Sequence, residues 1–360
     1  MIKEKLKGLI LGGGKGERLR PFTYTGAKQL VPIANKPVLF YAIEDLVSCG
    51  ITDIGIVVGD MRAQLEKAVG DGDRFGARVT YIQQEAPLGI AHAVKIAADF
   101  LAGHPFVLYL GDTLVLGGVA TFVQHFRSDS SNCRLLLCRV ENPQSFGVAE
   151  MVDGRVARVV EKPRQPASDL AVIGVYMFDG HVFEAVEQLQ PSARGELEIT
   201  DTIQYLIDKG LAVHAQELDR YWMDTGKMDD ILQANAVVLD ALPARQEGSI
   251  DSASQVQGRV IVERGAQVTN SILDGPLIIG EESHIADSQI GPHTSIYHHC
   301  QVKGSRIANS VVMEYTLIED VGYCIQDSLI GRYVELRGEG GVDDRRYALT
   351  LGDHSQIRAV

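Results

Sequence analysis

From Val262 onward, aliphatic residues return about every six positions, at Val262, Val268, Ile279, Ile285, Ile290, Ile296, Val302 and Ile307. Glycines punctuate the series at Ile279-Gly280, Ile290-Gly291 and Ile330-Gly331. Few folds bury one aliphatic side chain in six, because an α-helix repeats every ~3.6 residues and a strand every ~2. A triangular β-helix does so, with one aliphatic pointing inward from each side and small or turn-forming residues at the corners. A sandwich is the competing architecture, but its strands alternate over longer stretches than these.

The N-terminal part has a different texture. Short apolar runs at 6–11, 54–58, 79–83 and 106–110 alternate with helical spacing at 38–48, 61–69 and 90–101, the signature of a doubly wound α/β sheet. Gly50 stands where a left-handed helix cap belongs. Residues 148–160 read as a hairpin turning at Asp153-Gly154 and delivering Glu161-Lys162-Pro163. Helical pattern returns at 182–189, 199–209 and 229–242, after which Pro243 and a polar stretch predict a linker. The expected division is a domain at 1–242, a linker at 243–255, and a β-helix with a C-terminal tail at 256–360. In such a sheet, ligands bind where strands end at their carboxyl edge.

A net charge of −13 disfavours nucleic acid and anionic membrane as general partners, since both require a broad basic surface. Any anionic ligand must be held by a local cationic cluster. The five cysteines form no Cys-x-x-Cys pair and suggest neither a disulfide framework nor a zinc site. Residues 1–7 lack a signal-peptide core and no apolar run could span a bilayer, so the expected compartment is the cytoplasm.

That cluster sits directly after the first predicted strand. Gly12-Gly13-Gly14-Lys15-Gly16-Glu17-Arg18-Leu19-Arg20-Pro21 is a glycine-dense turn whose backbone N–H groups can approach phosphate oxygens, with Lys15, Arg18, Arg20 and Lys28 supplying charge. It matches neither the Walker pattern nor the dinucleotide fingerprint, which argues against a P-loop kinase or a dehydrogenase. Asp112 and Asp224 each follow an apolar run, and two hard carboxylates with open water positions suit Mg²⁺. Taken singly, either is an ordinary turn residue. Lys162 could reach a sugar phosphate, and Gln83, at a strand end, could pair with a pyrimidine edge.

The motifs together carry a resemblance. Gly12 to Pro21, Lys28-Gln29-Leu30-Val31-Pro32 and Asn35-Lys36-Pro37 resemble the signature of the sugar-1-phosphate nucleotidyltransferases. So do Pro87-Leu88-Gly89-Ile90-Ala91, Glu161-Lys162-Pro163, Gly195 to Asp201, and Trp222-Met223-Asp224-Thr225-Gly226, all in the family's order. Lys28-Gln29-Leu30 is similar to the branch that acts on glucose 1-phosphate with dTTP, and the hexapeptide tail to that branch's long form. The resemblance implies a Rossmann-like doubly wound mixed sheet followed by a left-handed β-helix of hexapeptide repeats. It implies Mg²⁺-dependent transfer of a thymidylyl group from dTTP (or, alternatively, a uridylyl group from UTP) to a sugar 1-phosphate. Exposed coil ends and flat prism faces invite pairing, so the β-helix is expected to associate subunits into a homo-oligomer or to cap the catalytic domain. Carried over by position, Arg18 and Lys28 would hold the triphosphate beside Gly12, Gly13 and Gly14, while Gln29, Gln83 and Gly89 would face the base. Asp112 and Asp224 would hold Mg²⁺. Thr113, Gly147, Glu161, Gly174 and Glu196 would contact the sugar, and Lys162 its phosphate.

Two positions depart from the family pattern. Glu17 replaces a Thr, and a carboxylate ~6 Å from a triphosphate would cost about 2 to 3 kcal/mol at an effective dielectric near 20. Glu17 is therefore expected to point away, toward Lys15 or Lys36. Thr113 replaces an Asn expected to bond a sugar hydroxyl, which predicts relaxed or altered sugar choice. Two other functions compete. One is a non-catalytic nucleotide-sugar sensor, which would be expected to lose Lys28, a metal Asp or Lys162. The other is a second, acyltransferase site using His284, His293, His298 or His299.

Overall fold

In the computed structural model, which describes residues 5–341 and 344–358, the first apolar runs are strands β1 (Lys7–Leu11), β2 (Asp53–Val58), β3 (Arg78–Gln83) and β4 (Phe106–Leu110). The helix Val38–Ser48 joins the first two, burying Val38, Leu39, Ala42, Ile43 and Leu46 on one face. Gly50, at φ 73°, follows that helix in the left-handed region. The helical stretch anticipated at 90–101 divides at Ala97 into Ile90–Ile96 and Ala98–Leu101.

Contacts separate two units, Met1–Gly14 with Val38–Asp224, and Lys15–Pro37 with Thr225–Val360. The first is built on a nine-stranded mixed sheet. Its further strands are β6 (Cys133–Arg139), β7 (Gly147–Val152), β8 (Arg155–Glu161), β9 (Leu170–Phe178) and β10 (Val213–Glu217). The main path runs β8-β7-β9-β4-β1-β2-β3, with β6 pairing β9 and β10. Pairs among β1, β2, β3 and β4 are parallel, whereas β9 runs antiparallel to β4, β6 and β7. In β1, Leu9 and Ile10 point to opposite faces and both are fully buried, so the centre of the sheet is covered on each side. One face packs Leu9, Phe106, Leu108, Ala149 and Phe178 against helix residues such as Ala93, Val94 and Ile203.

The second unit is a left-handed parallel β-helix of three stacked sheets, with seven, seven and six strands. Val262 pairs with Ile279 and Ile279 with Ile296, one coil apart on one side. Val268, Ile285 and Val302 do the same on the next side. The third side stacks Leu273, Ile290, Ile307 and Ile325. All of these are buried in a single core. The six-residue spacing is thus one third of a coil.

Corners use two devices. Asn270, Asp287 and Asp320 take left-handed backbone conformations at φ 43°, 50° and 52°. Beside them a serine ladder climbs the prism. Ser271 Oγ donates to Thr269 O at 2.7 Å and accepts from Ser288 N at 3.1 Å, and Ser288 Oγ repeats the pattern with Ala286 O and Ser305 N at 2.6 and 3.2 Å. Each hydroxyl satisfies a corner N–H that no strand partner reaches.

The linker expected at 243–255 is structured. Arg245–Gln246 and Ser249–Ile250 pair in parallel with Val260–Val262 and Gln267–Thr269, forming the opening coil of the prism. Its inward positions are mixed, with Gln246 opposite Val262 but Ile250 opposite Val268, so its sequence reads as a linker.

The second unit also contains residues 15–37, which form three short 3₁₀ turns (Glu17–Leu19, Phe22–Tyr24, Lys28–Leu30) and a small hairpin, Pro32–Ile33 with Lys36–Pro37. Leu19, Phe22 and Val31 pack with Ile231 and Leu232 of the helix Met228–Ala241, and with Val311, Met313 and Leu329 of the β-helix.

Candidate active site

In the first unit, two short strands that the sequence did not announce bring the backbones of the two aspartates close together. Strand β5 (Thr113–Val115), directly after Asp112, pairs antiparallel with β11 (Trp222–Asp224) so that Thr113 lies opposite Asp224. Opposed residues in such a pair have Cα atoms ~5 Å apart. Asp112 and Asp224 are therefore near neighbours, with Asp112 buried. No group of three or more His, Cys, Asp or Glu among the described residues could hold a metal. The pair fits an ion that keeps water or phosphate in its remaining positions, as Mg²⁺ does, and not a closed zinc centre.

Beside this pair lie residues of β7, β8 and β9 that approach closely. The register of β9 against β6 shifts between Val172 and Tyr176, and within that irregularity Gly174 has φ 62°. A Cβ there would stand 2.7 Å from Thr113 Oγ1, so only glycine allows the strand to approach the Asp112-Thr113 turn. Gly147 makes a similar close approach, with Glu161 Oε2 3.3 Å and Thr200 Cγ2 2.7 Å from the position of its missing Cβ.

Glu161 ends β8, and its carboxylate meets Lys162 Nζ at 3.5 Å and Arg194 Nη2 at 3.4 Å, and accepts from Thr200 Oγ1 at 3.4 Å. Burial pushes the Glu161 carboxyl up, and Lys162 pulls it back toward the ionised form. Lys162 takes φ 40°, and its N–H donates to Phe146 O at 3.0 Å, fixing the chain direction after the strand. Arg194 reaches Glu196 at 3.3 Å and holds both carboxylate oxygens of buried Glu198 at 2.9 and 2.8 Å. Arg194, Glu198 and Thr200 were not among the sequence candidates. Their signal was adjacency to Glu196 in a motif already recognised.

The glycine turn leaves β1 at the same carboxyl edge. Gly12 N donates to Val57 O at 2.8 Å, and a Cβ on Gly13 would lie 3.3 Å from Gln84 Oε1. Gln84 Nε2 donates to Gly89 O at 3.4 Å and pairs with His92 Nδ1 at 3.0 Å. It therefore links the turn to Gly89, whereas half-buried Gln83, the predicted residue, donates only a long bond to Gln84 O at 3.5 Å. Around Gly89, Leu197 N donates to Leu88 O at 2.8 Å and Ala91 N to Leu197 O at 3.1 Å. The segment that bears Glu196 is thus laced to the one that bears Gly89.

Arg18, Lys28 and Gln29 belong to the second unit. Thr23 Oγ1 donates to Gly16 O at 2.7 Å, and Lys28 Cβ lies 3.0 Å from where a Gly16 Cβ would be, so the first and third turns of this loop touch. Arg18 lies within electrostatic reach of Asp230, in the first turn of the helix Met228–Ala241. Burial pushes the Asp230 carboxyl up, and Lys227 and then Arg18 oppose that. Gln29 is 1% exposed, and its Oε1 meets no donor among the described residues. Glu17 is solvated, with its side chain 65% exposed, and pairs with Arg20 at 3.2 Å, a partner the sequence reading did not name. The 3₁₀ turn places positions three apart on one face, which brings Glu17 and Arg20 together.

Three of the four candidate β-helix histidines have side-chain partners. His293 pairs with Asp240 at 3.3 Å, and His298 lies 3.0 Å from His299 through their Nδ1 atoms. Burial lowers the pKa of His298.

Comparison with known proteins agrees with this geometry. The nucleotidyl transferase family model matches residues 7–241. A glucose-1-phosphate thymidylyltransferase of Streptomyces antibioticus is 48% identical over 98% of this chain and 99% of its own. The low-salt glycan biosynthesis nucleotidyltransferase Agl11 of Haloferax volcanii is 42% identical over 98% and 100%. A 2.76 Å crystal structure of a Bacillus anthracis protein in complex with a sucrose superposes with a TM-score of 0.63 at 35% identity, covering 67% of this chain and 98% of that one. The family match spans every strand of the first unit, including the two short strands beside Asp112 and Asp224, and this chain belongs to the nucleotidyl transferase family.

Proposed function

We propose that this protein transfers a thymidylyl group from dTTP to glucose 1-phosphate, giving dTDP-glucose and pyrophosphate, with Mg²⁺ as its metal. The observation that carries this reading is the β5–β11 pairing, which sets Asp112 beside Asp224 and next to the Gly174 bulge. The near full-length similarity to a thymidylyltransferase supports the choice of nucleotide and sugar.

In this reaction a phosphate oxygen of the sugar attacks the α-phosphorus of dTTP, and the bond from that phosphorus to the β-phosphate oxygen breaks in line. No general base is required, because the sugar phosphate is already ionised at pH 7. The protein's task is to hold highly charged groups together and offset their repulsion. Lys162, fixed at the end of β8, would bind the sugar phosphate. Glu161 and Glu196 would accept from sugar hydroxyls, with Gly147 and Gly174 leaving room for the ring and Thr113 bordering it. Arg18 and Lys28 would bind the triphosphate with the Gly12, Gly13 and Gly14 backbone. Gln29, Gln83 and Gly89 would line the base. Asp112 and Asp224 would hold Mg²⁺, which when bound supplies charge neutralisation at the reacting phosphate oxygens.

None of the helices among the described residues is long and apolar enough to cross a membrane. We place the reaction in the cytoplasm and expect a homo-oligomer. The test is pyrophosphate release with dTTP, UTP, GTP and ATP, each against glucose, galactose and glucosamine 1-phosphates, with and without Mg²⁺. Preference for dTTP with glucose 1-phosphate supports the proposal, and preference for another nucleotide refutes it. The sugar arm also tests Thr113, because exclusive use of glucose 1-phosphate removes the expectation of altered sugar choice.

A further inference from the structure

Residues 15–37 have little regular structure of their own, yet on the reading above they carry two cations that must be placed on a triphosphate. Their order comes from the unit they belong to. Leu19, Phe22 and Val31 form the apolar underside of the loop, packed on the helix Met228–Ala241 and on the β-helix. The hairpin end is tied by Ala34 N, which donates to Asn235 Oδ1 at 2.8 Å, and by Asn35 Nδ2, which donates to Ile296 O at 2.8 Å.

The middle of the loop, just before Lys28, rests on a polar network of the last coils. Arg332 Nε donates to Glu314 Oε1 at 2.6 Å, and Arg332 N donates to Asp353 Oδ1 at 2.8 Å. The other Asp353 oxygen lies 3.7 Å from Arg332 Nη1 and accepts from Thr25 Oγ1 at 2.7 Å. Asp353 is thus a two-sided connector, with its side chain only 7% exposed. Arg332 Nη1 also lies 2.9 Å from where a Gly26 Cβ would be, and Gly352 approaches Pro21 so closely that its own Cβ would lie 3.0 Å from the ring. The chain from Pro21 to Gly26 is braced at both ends by the segment 332–353.

We infer that Asp353 and Arg332, in the final coils of the β-helix, are positioning residues for the loop bearing Arg18 and Lys28, and that the β-helix thereby sets the affinity for the nucleoside triphosphate. The inference rests on the proposed role of those two cations. Neither positioning residue touches substrate. They act by restricting the loop, whose disorder would otherwise have to be removed each time the nucleotide binds. A conformational restriction of this kind affects one substrate and leaves the other alone, because Lys162, Glu161 and Glu196 are carried by the first unit.

The test uses the full chain with dTTP and glucose 1-phosphate. Thr25→Val removes one hydroxyl with almost no change of shape, and Asp353→Ala removes the connector. Each is expected to raise KM for dTTP about tenfold, the effect of losing one charge-assisted hydrogen bond, with KM for glucose 1-phosphate unchanged. The double variant should be no worse than Asp353→Ala alone, since both remove the same contact. Arg332→Lys should recover part of what Arg332→Ala loses. Melting curves accompany each variant, and Thr25→Val keeps the question open to measurement if Asp353→Ala fails to fold. An unchanged KM for dTTP in folded Thr25→Val, or an equal rise in both KM values, overturns the inference. Arg18→Ala separates its failure from that of the underlying reading. If Arg18→Ala raises KM for dTTP while the other variants do not, the positioning role alone is lost. If none does, the triphosphate role falls and the inference with it.

Discussion

Asn235 is 0% exposed and makes three hydrogen bonds. Its Oδ1 accepts from Ala34 N at 2.8 Å and from Ser295 Oγ at 2.6 Å, and its Nδ2 donates to His293 O at 2.9 Å. It fastens the hairpin end of the 15–37 loop and one β-helix strand to the helix Met228–Ala241. Asn235→Ala leaves the Ala34 N–H and the His293 carbonyl without partners, while the Ser295 hydroxyl can rotate. At roughly 1.5 kcal/mol for each stranded backbone group, the cost is about 3 kcal/mol. For a unit of this size, each kcal/mol lowers Tm by about 3 °C, so calorimetry should show a fall of about 9 °C. Ser295→Ala is the internal comparison. It removes one hydroxyl and leaves the Ala34 bond intact, so its cost should stay near 1 kcal/mol, or about 3 °C. If Asn235→Ala costs no more than Ser295→Ala, the hairpin is not held by this side chain and the reasoning is wrong.

Three further outcomes are expected. Lys162→Ala should lower kcat/KM for glucose 1-phosphate by at least about 100-fold while dTTP binding, measured directly by calorimetry, stays within about twofold, and equal losses in both would contradict its phosphate role. Gly174→Ala would place a methyl group 2.7 Å from Thr113 Oγ1 at a φ of 62°, and should reduce kcat by about tenfold or more in a folded protein; wild-type turnover would show that the bulge does not set the site. Asp53 is buried, which alone would raise its pKa, but Arg78 and then Lys5 and Lys7 more than reverse that, holding the carboxyl below its usual value. A depressed carboxylate contributes stability above its unfolded pKa of about 3.9, and that contribution is lost as pH falls through the folded value. The Tm gap between wild type and Asp53→Asn should therefore be widest near pH 7 and shrink below about pH 4, and a gap that stays constant down to pH 2 would refute the linkage.

Much of the architecture was legible because burial leaves a period in the chain. The runs predicted at 54–58 and 106–110 correspond to Asp53–Val58 and Phe106–Leu110, since strands covered on both faces are near-continuously apolar, whereas the run at 79–83 corresponds to the edge strand Arg78–Gln83, which starts by alternating exposed and partly buried residues. The turn at Asp153-Gly154 was equally clear, and both residues have positive φ, 48° and 77°. The six-residue recurrence gave the β-helix because each coil repeats the same three inward positions. Strands β5 and β11 were not legible. Each has three residues and is specified by the partner it meets, not by a local pattern. The opening coil at 245–250 was hidden because its inward positions are mixed, Gln246 at one and Ile250 at the next. That Gln84 also links the glycine loop to Gly89 was not legible, because strand alternation does not say which of two adjacent amides turns toward that loop. That residues 15–37 fold with the β-helix could not be read locally either, because Thr25, Arg332 and Asp353 meet only through tertiary packing.

We propose that Asp112 and Asp224 hold one metal ion during transfer of the nucleotidyl group to the sugar phosphate. The most direct test of this claim is the Mg²⁺ dependence of pyrophosphate release for the wild type, Asp112→Asn, Asp224→Asn and the double variant, with dTTP and glucose 1-phosphate saturating. Each single variant should lose at least about 100-fold in kcat and need more Mg²⁺ for half its residual rate, and the double variant should be little worse than either, because both carboxylates serve the same ion. Wild-type kcat and an unchanged Mg²⁺ requirement in either single variant would contradict the claim.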